Sequence, residues 1–366
     1  MAPLHGRELA VAHHAGGCGL REERADFPLG NSVLGSDNMG AQDAEGVSVA
    51  ALHNRFNVSG SHATLHYMAT DAAKKKLCEL HLHLEGSAGP QTLRMLDPPL
   101  SAEKAEAPYR FTTFTGFLEC FKFIALRLRT PEDYGLVARQ LVKDLAAQDV
   151  GYAEVTLSAG VLLWKGCELG PYYDAVRAAT VDGPVEIRWI LDAIRQFGPD
   201  PAWRVVEFAA SRVHDGVVAI GIGGNERWGR ARCFRDVYAF ARSQGLRLTA
   251  HAGETEGPES IWAALEIGAE RIGHGIRAID DPVLVRHLSD HQIPLEICPT
   301  SNVCTGAVRS SDAHPMRKLY DAGVPITINT DDPGVFGCSL VGELELARKS
   351  GLGEDVVRNG ERFAFR

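Results

Sequence analysis

Eight short apolar, β-prone runs recur between residues 77 and 329, and stretches with helical periodicity separate them. They span residues 77–82, 152–157, 185–191, 217–222, 246–250, 271–272, 294–297 and 325–329. Strand alternating with helix is the pattern of a parallel sheet joined by crossover helices. Eight such units in about three hundred residues predict an α/β chain folded as a (β/α)8 TIM barrel, with its active site at the C-terminal strand ends. Residues 131–148 are a predicted helix, with Leu136, Leu141, Val142 and Leu145 at helical spacing, and so are residues 233–243, with Val237, Phe240 and Ala241. The first crossover, residues 85–151, is too long for one helix. Its aromatic segment, residues 109–123, is expected to form extra helices over the barrel mouth.

The first 67 residues show no sustained periodicity and no continuous apolar stretch of the kind a signal peptide carries. They are expected to be a disordered extension before a single domain of residues 68–366. With 366 residues, 45% hydrophobic and 23% charged, the chain can bury a large core. A net charge of −9 argues against a nucleic-acid partner, which needs clustered Lys and Arg, and makes a small molecule the expected ligand. No apolar run is long enough to span a bilayer, so no membrane partner is expected. The eight cysteines are scattered without a Cys-x-x-Cys pair, which disfavours a zinc knuckle or a disulfide framework and fits a cytoplasmic protein.

Several of the runs end in metal-binding residues. Residues two apart on a strand point to one face, so His81 and His83 both project into the barrel mouth, where neutral imidazoles bind Zn²⁺ at about 2.0–2.1 Å. Taken alone, a His-x-His pair is more often structural. His251 closes the fifth run, and Glu254 follows it after Gly253, a residue that lets the backbone turn sharply. Asp331 closes the eighth run, which lies beside the first in a closed barrel. A three-His, one-Asp set leaves a position for water, whose pKa zinc lowers to about 7. Asp332 beside it reads either as an Asx turn or as an acid kept apart from Asp331 by a cation or a substrate proton. His274 closes the sixth run between two glycines, where a histidine could orient the water and accept its proton. His214, His287, His291 and His314 sit in helical or loop contexts and are given no chemistry.

The stretches ELHLHLEGS, GIGGNE, HAGE, RIGHGI, EICPTSN and INTDDP stand in an order and at separations that resemble the adenosine deaminase family of the amidohydrolase superfamily, over residues 77–366. The resemblance implies a barrel with one Zn²⁺ per chain that replaces the amine of a 6-aminopurine nucleoside by oxygen, releasing ammonia. His81, His83, His251 and Asp331 match the zinc ligands. Glu254 matches the acid that protonates purine N1, and His274 the residue that positions and deprotonates the water. Asp332 matches the group facing N7, the backbone N–H of Gly224 the contact to N3, and Glu85 the sugar side of the substrate. Members acting on adenosine usually carry Asp where this chain has Glu85. Glutamate there is more typical of aminodeoxyfutalosine and adenine deaminases, which are the alternative readings. The ending RNGERFAFR matches the family's last helix only weakly.

Rival chemistries leave marks that this chain lacks. Binuclear amidohydrolases commonly use a carboxylated lysine on the fourth strand, and VVAIGIGGNE contains none. The cytidine-deaminase site needs His-x-Glu followed by Pro-Cys-x-x-Cys, and ICPTSNVC has a different spacing. A non-catalytic purine-binding protein on the same scaffold would be marked by loss of a ligand or of the N1 acid, yet every such position holds a competent side chain.

Overall fold

The computed structural model describes residues 76–366. The expected N-terminal extension, residues 1–67, and the expected domain start at Met68 lie outside the described residues. Eight strands follow one another around a parallel sheet in chain order. These are β1 Leu77–His83, β2 Val150–Leu157, β3 Glu186–Ile194, β4 Val217–Gly223, β5 Arg247–Ala252, β6 Arg271–His274, β7 Leu295–Ile297 and β8 Ile326–Ile328, with helices between them. The predicted (β/α)8 barrel is therefore the observed fold. Six of the eight strands, β1 to β6, run one to three residues past their apolar stretches at one end; β3 continues through the buried Asp192 and β6 through the buried His274.

The seam between β8 and β1 determines whether the barrel closes. Near the mouth it is made by backbone: Asp331 N–H donates to the His81 carbonyl at 3.0 Å, and His83 N–H donates to the Asp331 carbonyl at 2.7 Å. Further down, side chains replace the ladder. Leu80 N–H donates to Asn329 Oδ1 and Thr330 N–H to Glu79 Oε1, each at 3.0 Å. A register shift between Glu79 and Leu82 puts one extra residue into β1 just where its histidines begin, a device that re-aims side chains beside active sites.

The long first crossover holds three extra helices, Pro90–Leu96, Ala102–Glu106 and Phe114–Ala125, of which the last lies on the expected aromatic segment, before the helix Pro131–Ala146. That last helix starts at a capping box, in which Asp133 N–H donates to Thr130 Oγ1 and Thr130 N–H donates back to the Asp133 carboxylate. It stops short of residue 148, ahead of Asp149, whose φ of 61° breaks the turn. Over the mouth, Phe117 stacks on Phe336 at 5.4 Å and Phe111 meets the same ring edge-on at 6.1 Å. Phe336 lies four residues after Asp332, so the aromatic segment covers the end of the barrel where the candidate metal ligands emerge.

The opposite end is closed by the C-terminus. Phe365 is buried with Ile190 and Ala219 beneath the barrel. Its N–H donates to Glu154 Oε1 at 2.5 Å, and Tyr152 Oη–H donates to its carbonyl at 2.8 Å. No helix among the described residues is long and apolar enough to cross a membrane.

Candidate active site

At the mouth, ligand atoms of His81, His83, His251 and Asp331 lie within 4.8 Å of one another. Nε2 of His83 is 3.1 Å from Nε2 of His251, while Asp331 Oδ1 is 3.4 Å from Nε2 of both His81 and His83. A tetrahedral ion with bonds of about 2.0–2.1 Å separates its ligand atoms by roughly 3.3 Å, so these spacings fit one small divalent cation. The Nε2 atom of His81 is buried and has no hydrogen-bond partner, as expected of a position kept for a cation. Burial works against a proton on His81, yet the carboxylates of Asp331 and Glu296 on either side of the ring outweigh it and raise its pKa to about 10, so a proton holds the Nε2 position until a cation replaces it. This corner of the site favours positive charge. Nitrogen and carboxylate donors in this number suit zinc.

Three of the four donors are held from behind. His81 Nδ1 contacts Glu296 Oε2 at 2.7 Å, which directs Nε2 into the cluster. Asp331 receives a hydrogen bond from Ser301 Oγ on Oδ2 at 2.6 Å, leaving Oδ1 for the cation. The His251 carbonyl accepts from the buried guanidinium of Arg195, which also donates to Gly229. Two of the four described non-glycine residues with left-handed backbone belong to the site, His274 at φ 60° and Asp331 at φ 64°. Such conformations cost about 1–3 kcal/mol and persist where the surroundings enforce them, as the Asp331 bonds to β1 do.

Glycines make room for these side chains. A Cβ on Gly273 would come 2.7 Å from the His81 ring, one on Gly223 2.4 Å from Asp192 Oδ2, and one on Gly86 1.5 Å from Asp332 Oδ1. Gly224, whose φ is +88°, follows directly on β4 at the mouth end.

Four acids around the cluster are driven toward the protonated form. Burial, reinforced by the Asp331 charge, lifts Glu254 and Asp332 well above the usual carboxylate range. Burial raises Glu85 to about 7, and burial with some help from the Glu85 charge raises Asp192 to about 8, against the pull of their other partners. Protonated carboxyls are donors. Glu254 Oε2 lies 3.7 Å from His274 Nε2, and His274 Nε2 lies 3.9 Å from Asp331 Oδ2, so a small oxygen species fits among them. Glu85 Oε1 accepts from Ser158 N–H at 3.2 Å. Its Oε2, like Asp332 Oδ1, is buried without a hydrogen-bond partner, as a group reserved for a ligand would be.

Five supporting residues carry roles that were not assigned from sequence. Glu226 accepts the N–H groups of Gly253, Glu254 and Thr255 at 2.8, 2.9 and 2.9 Å and the hydroxyl of Ser260, which pins the loop bearing Glu254. Glu296, Ser301 and Asn302 lie in the EICPTSN stretch and hold His81, Asp331 and His274 respectively. His314 was given no chemistry, but it is buried against Asn302. The signals available were an acid inside the apolar run 294–297 and a second polar motif behind β7. His287 and His291 stack on each other at 4.1 Å at the end of the helix Pro282–Asp290.

Comparisons with known proteins agree with this geometry. The family model described as "Adenosine deaminase" matches residues 76–364. An aminodeoxyfutalosine deaminase from Streptomyces coelicolor is 37% identical over 306 residues, covering 78% of this chain and 79% of that protein. An adenine deaminase from Rhizobium meliloti is 37% identical over 284 residues, covering 75% and 88%. Among solved structures, an adenine deaminase from Arthrobacter aurescens superposes with a TM-score of 0.74 at 28% identity, covering 80% of this chain and 94% of that one.

Proposed function

Because the chain belongs to the adenosine deaminase family, we propose that it hydrolyses the exocyclic amine from a 6-aminopurine, releasing ammonia, with one Zn²⁺ per chain held by His81, His83, His251 and Asp331. The metal, when bound, supplies Lewis-acid activation of the attacking water. Glu254, kept protonated by burial, donates to ring N1 as attack at C6 drives electron density there. His274 faces the water and orients it. Asp332, also protonated, donates to the acceptor N7 through its unpartnered oxygen, and the N–H of Gly224 serves N3. Glu85 lies on the side where a sugar, or the N9–H of a free base, would enter. The observation that carries this reading is the convergence of the four ligands, the neutral acid Glu254 and His274 on one barrel mouth.

Adenosine, a nucleoside of this class, is the substrate proposed first. The relatives named above act, by their names, on aminodeoxyfutalosine and adenine, and a glutamate at position 85, typical of those deaminases where adenosine-acting members carry Asp, favours those alternatives. The test is zinc content together with kcat/KM for adenosine, 2′-deoxyadenosine, adenine and aminodeoxyfutalosine measured in parallel. Glu254→Gln is expected to keep its zinc and lose about 10²–10⁴ in kcat, the usual worth of a general acid. Failure of the zinc-loaded wild type to release ammonia from any of these purines would overturn the proposal.

A further inference from the structure

We propose that Asn302 and His314 are positioning residues that lock His274 in its Nε2–H tautomer, so that His274 presents an N–H rather than a lone pair to the attacking oxygen. This rests on the reading above, in which His274 faces that oxygen. It changes the role expected from sequence, in which the same histidine deprotonates the water.

The direction of the relay is set by a group that can only donate. The backbone N–H of Met316 donates to His314 Nδ1 at 3.1 Å. Nδ1 is therefore an acceptor, and a neutral imidazole then carries its proton on Nε2. His314 is neutral through the working range, because burial and the nearby His274 bring its pKa down to about 4. Its Nε2–H donates to Asn302 Oδ1 at 3.2 Å, which turns the amide nitrogen of Asn302 toward His274 Nδ1, 3.1 Å away. An amide nitrogen has no lone pair to offer, so His274 Nδ1 must accept and its proton resides on Nε2. Flipping the Asn302 amide would need a bare Nε2 on His314, hence a proton on Nδ1 pointing into the Met316 N–H. All three side chains are buried, so water cannot substitute at either junction without cost. The far end of the relay, His274 Nε2, is the atom that stands 3.7 Å from Glu254 and 3.9 Å from Asp331. A donor there fixes the orientation of the oxygen that attacks and stabilises negative charge on it.

The decisive measurement is a long-range ¹H–¹⁵N correlation spectrum of the zinc-loaded full chain labelled at histidine, recorded without substrate and assigned by the signals lost in His274→Asn. Nε2 of His274 is expected to be protonated and Nδ1 to be an unprotonated acceptor; a proton on Nδ1 would overturn the proposal. Asn302→Asp places a carboxylate that accepts from both rings and is expected to invert the tautomer. It should lower kcat about 10- to 100-fold, the usual range for lost outer-shell partners, with KM and zinc content unchanged. His314→Leu is expected to follow it, and His314→Gln, which keeps an N–H for Asn302, to recover most of the loss. Wild-type kcat in His314→Leu would remove the positioning role, and if a variant fails to fold, the wild-type spectrum still decides. A chain with the Nε2–H tautomer that deaminates no purine would defeat the proposed function and leave this inference standing.

Discussion

Nδ1 of His81 and Oε2 of Glu296 lie 2.7 Å apart inside the barrel, with both side chains buried. The other oxygen of Glu296 is 2.6 Å from Arg271 Nε, and the same guanidinium reaches Glu154 at 2.5 Å. His81, a proposed zinc ligand at the mouth, is thus tied through a buried acid, a buried arginine and a second acid to the backbone of Phe365 at the far end. Glu296→Ala is expected to free the His81 ring and weaken zinc binding about 10- to 100-fold, the usual effect of losing a carboxylate behind a ligating histidine. Zinc affinity by competition with a chromophoric chelator measures this, and wild-type affinity in the variant would show that backbone geometry alone aims His81.

Glu226 does for the acid what Glu296 does for the ligand. Three backbone N–H groups and the Ser260 hydroxyl converge on its carboxylate, and Arg195 holds its pKa down despite burial. Glu226→Gln replaces one accepting oxygen by an NH₂ that faces donors, and donors cannot pair with donors. The loop carrying Glu254 should loosen, with kcat down about 10-fold or more, since an error of the order of 1 Å in a catalytic group is sufficient for that. Zinc content should stay at one per chain. Loss of zinc in parallel with kcat would mean that Glu226 supports His251 rather than Glu254.

Much of this architecture was legible in the sequence because short-range patterns carry it. The eight apolar runs marked all eight strands, and the polar residues closing runs one, five, six and eight are the ones that gather at the mouth. What escaped was set by contacts between distant parts of the chain. The end of β3 was missed because Asp192 reads as the polar end of an apolar run, whereas it is buried beneath Gly221 and Gly223. Glu226 reads as a solvated loop acid, since nothing local reveals that the loop after β5 folds down onto it. His314 stands beside a proline in a loop, and its partner Asn302 comes within reach only when the segments after β7 are packed together. The weakly matching C-terminal residues are structural, through backbone bonds and the buried ring of Phe365.

The C-terminal plug yields a stability test. Phe365 is packed under the Arg271 guanidinium, 3.6 Å from its ring centre, and Phe363 contributes a carbonyl to the same guanidinium at 2.8 Å. Phe365→Ala removes a buried ring and leaves a cavity next to a charged pair, which costs about 3–5 kcal/mol. Urea unfolding should show this as a lower midpoint with the slope unchanged. A loss below about 1 kcal/mol would place the variant among surface substitutions and show that the plug is dispensable.

Glu343 ties stability to pH. It is buried, and it accepts the N–H of Thr300 at 2.9 Å and the Thr300 hydroxyl, so it caps the short helix Pro299–Cys304 that supplies Ser301 to Asp331 and Asn302 to His274. Burial raises its pKa from 4.5 to about 7. Between those two values the folded chain binds more protons at this site than the unfolded chain, so stability declines as pH rises from 4.5 to about 7 and levels off above that. The separation corresponds to about 3 kcal/mol. Glu343→Gln keeps an acceptor for the Thr300 N–H but cannot ionise. Relative to wild type it should therefore gain about 3 kcal/mol between pH 4.5 and pH 8 in urea unfolding. Zinc and the other titrating groups act on both proteins and cancel in the difference. If the two curves ran parallel across that window, Glu343 would be ionised in the folded protein, with its charge stabilised by Thr300 and the helix start rather than suppressed by burial.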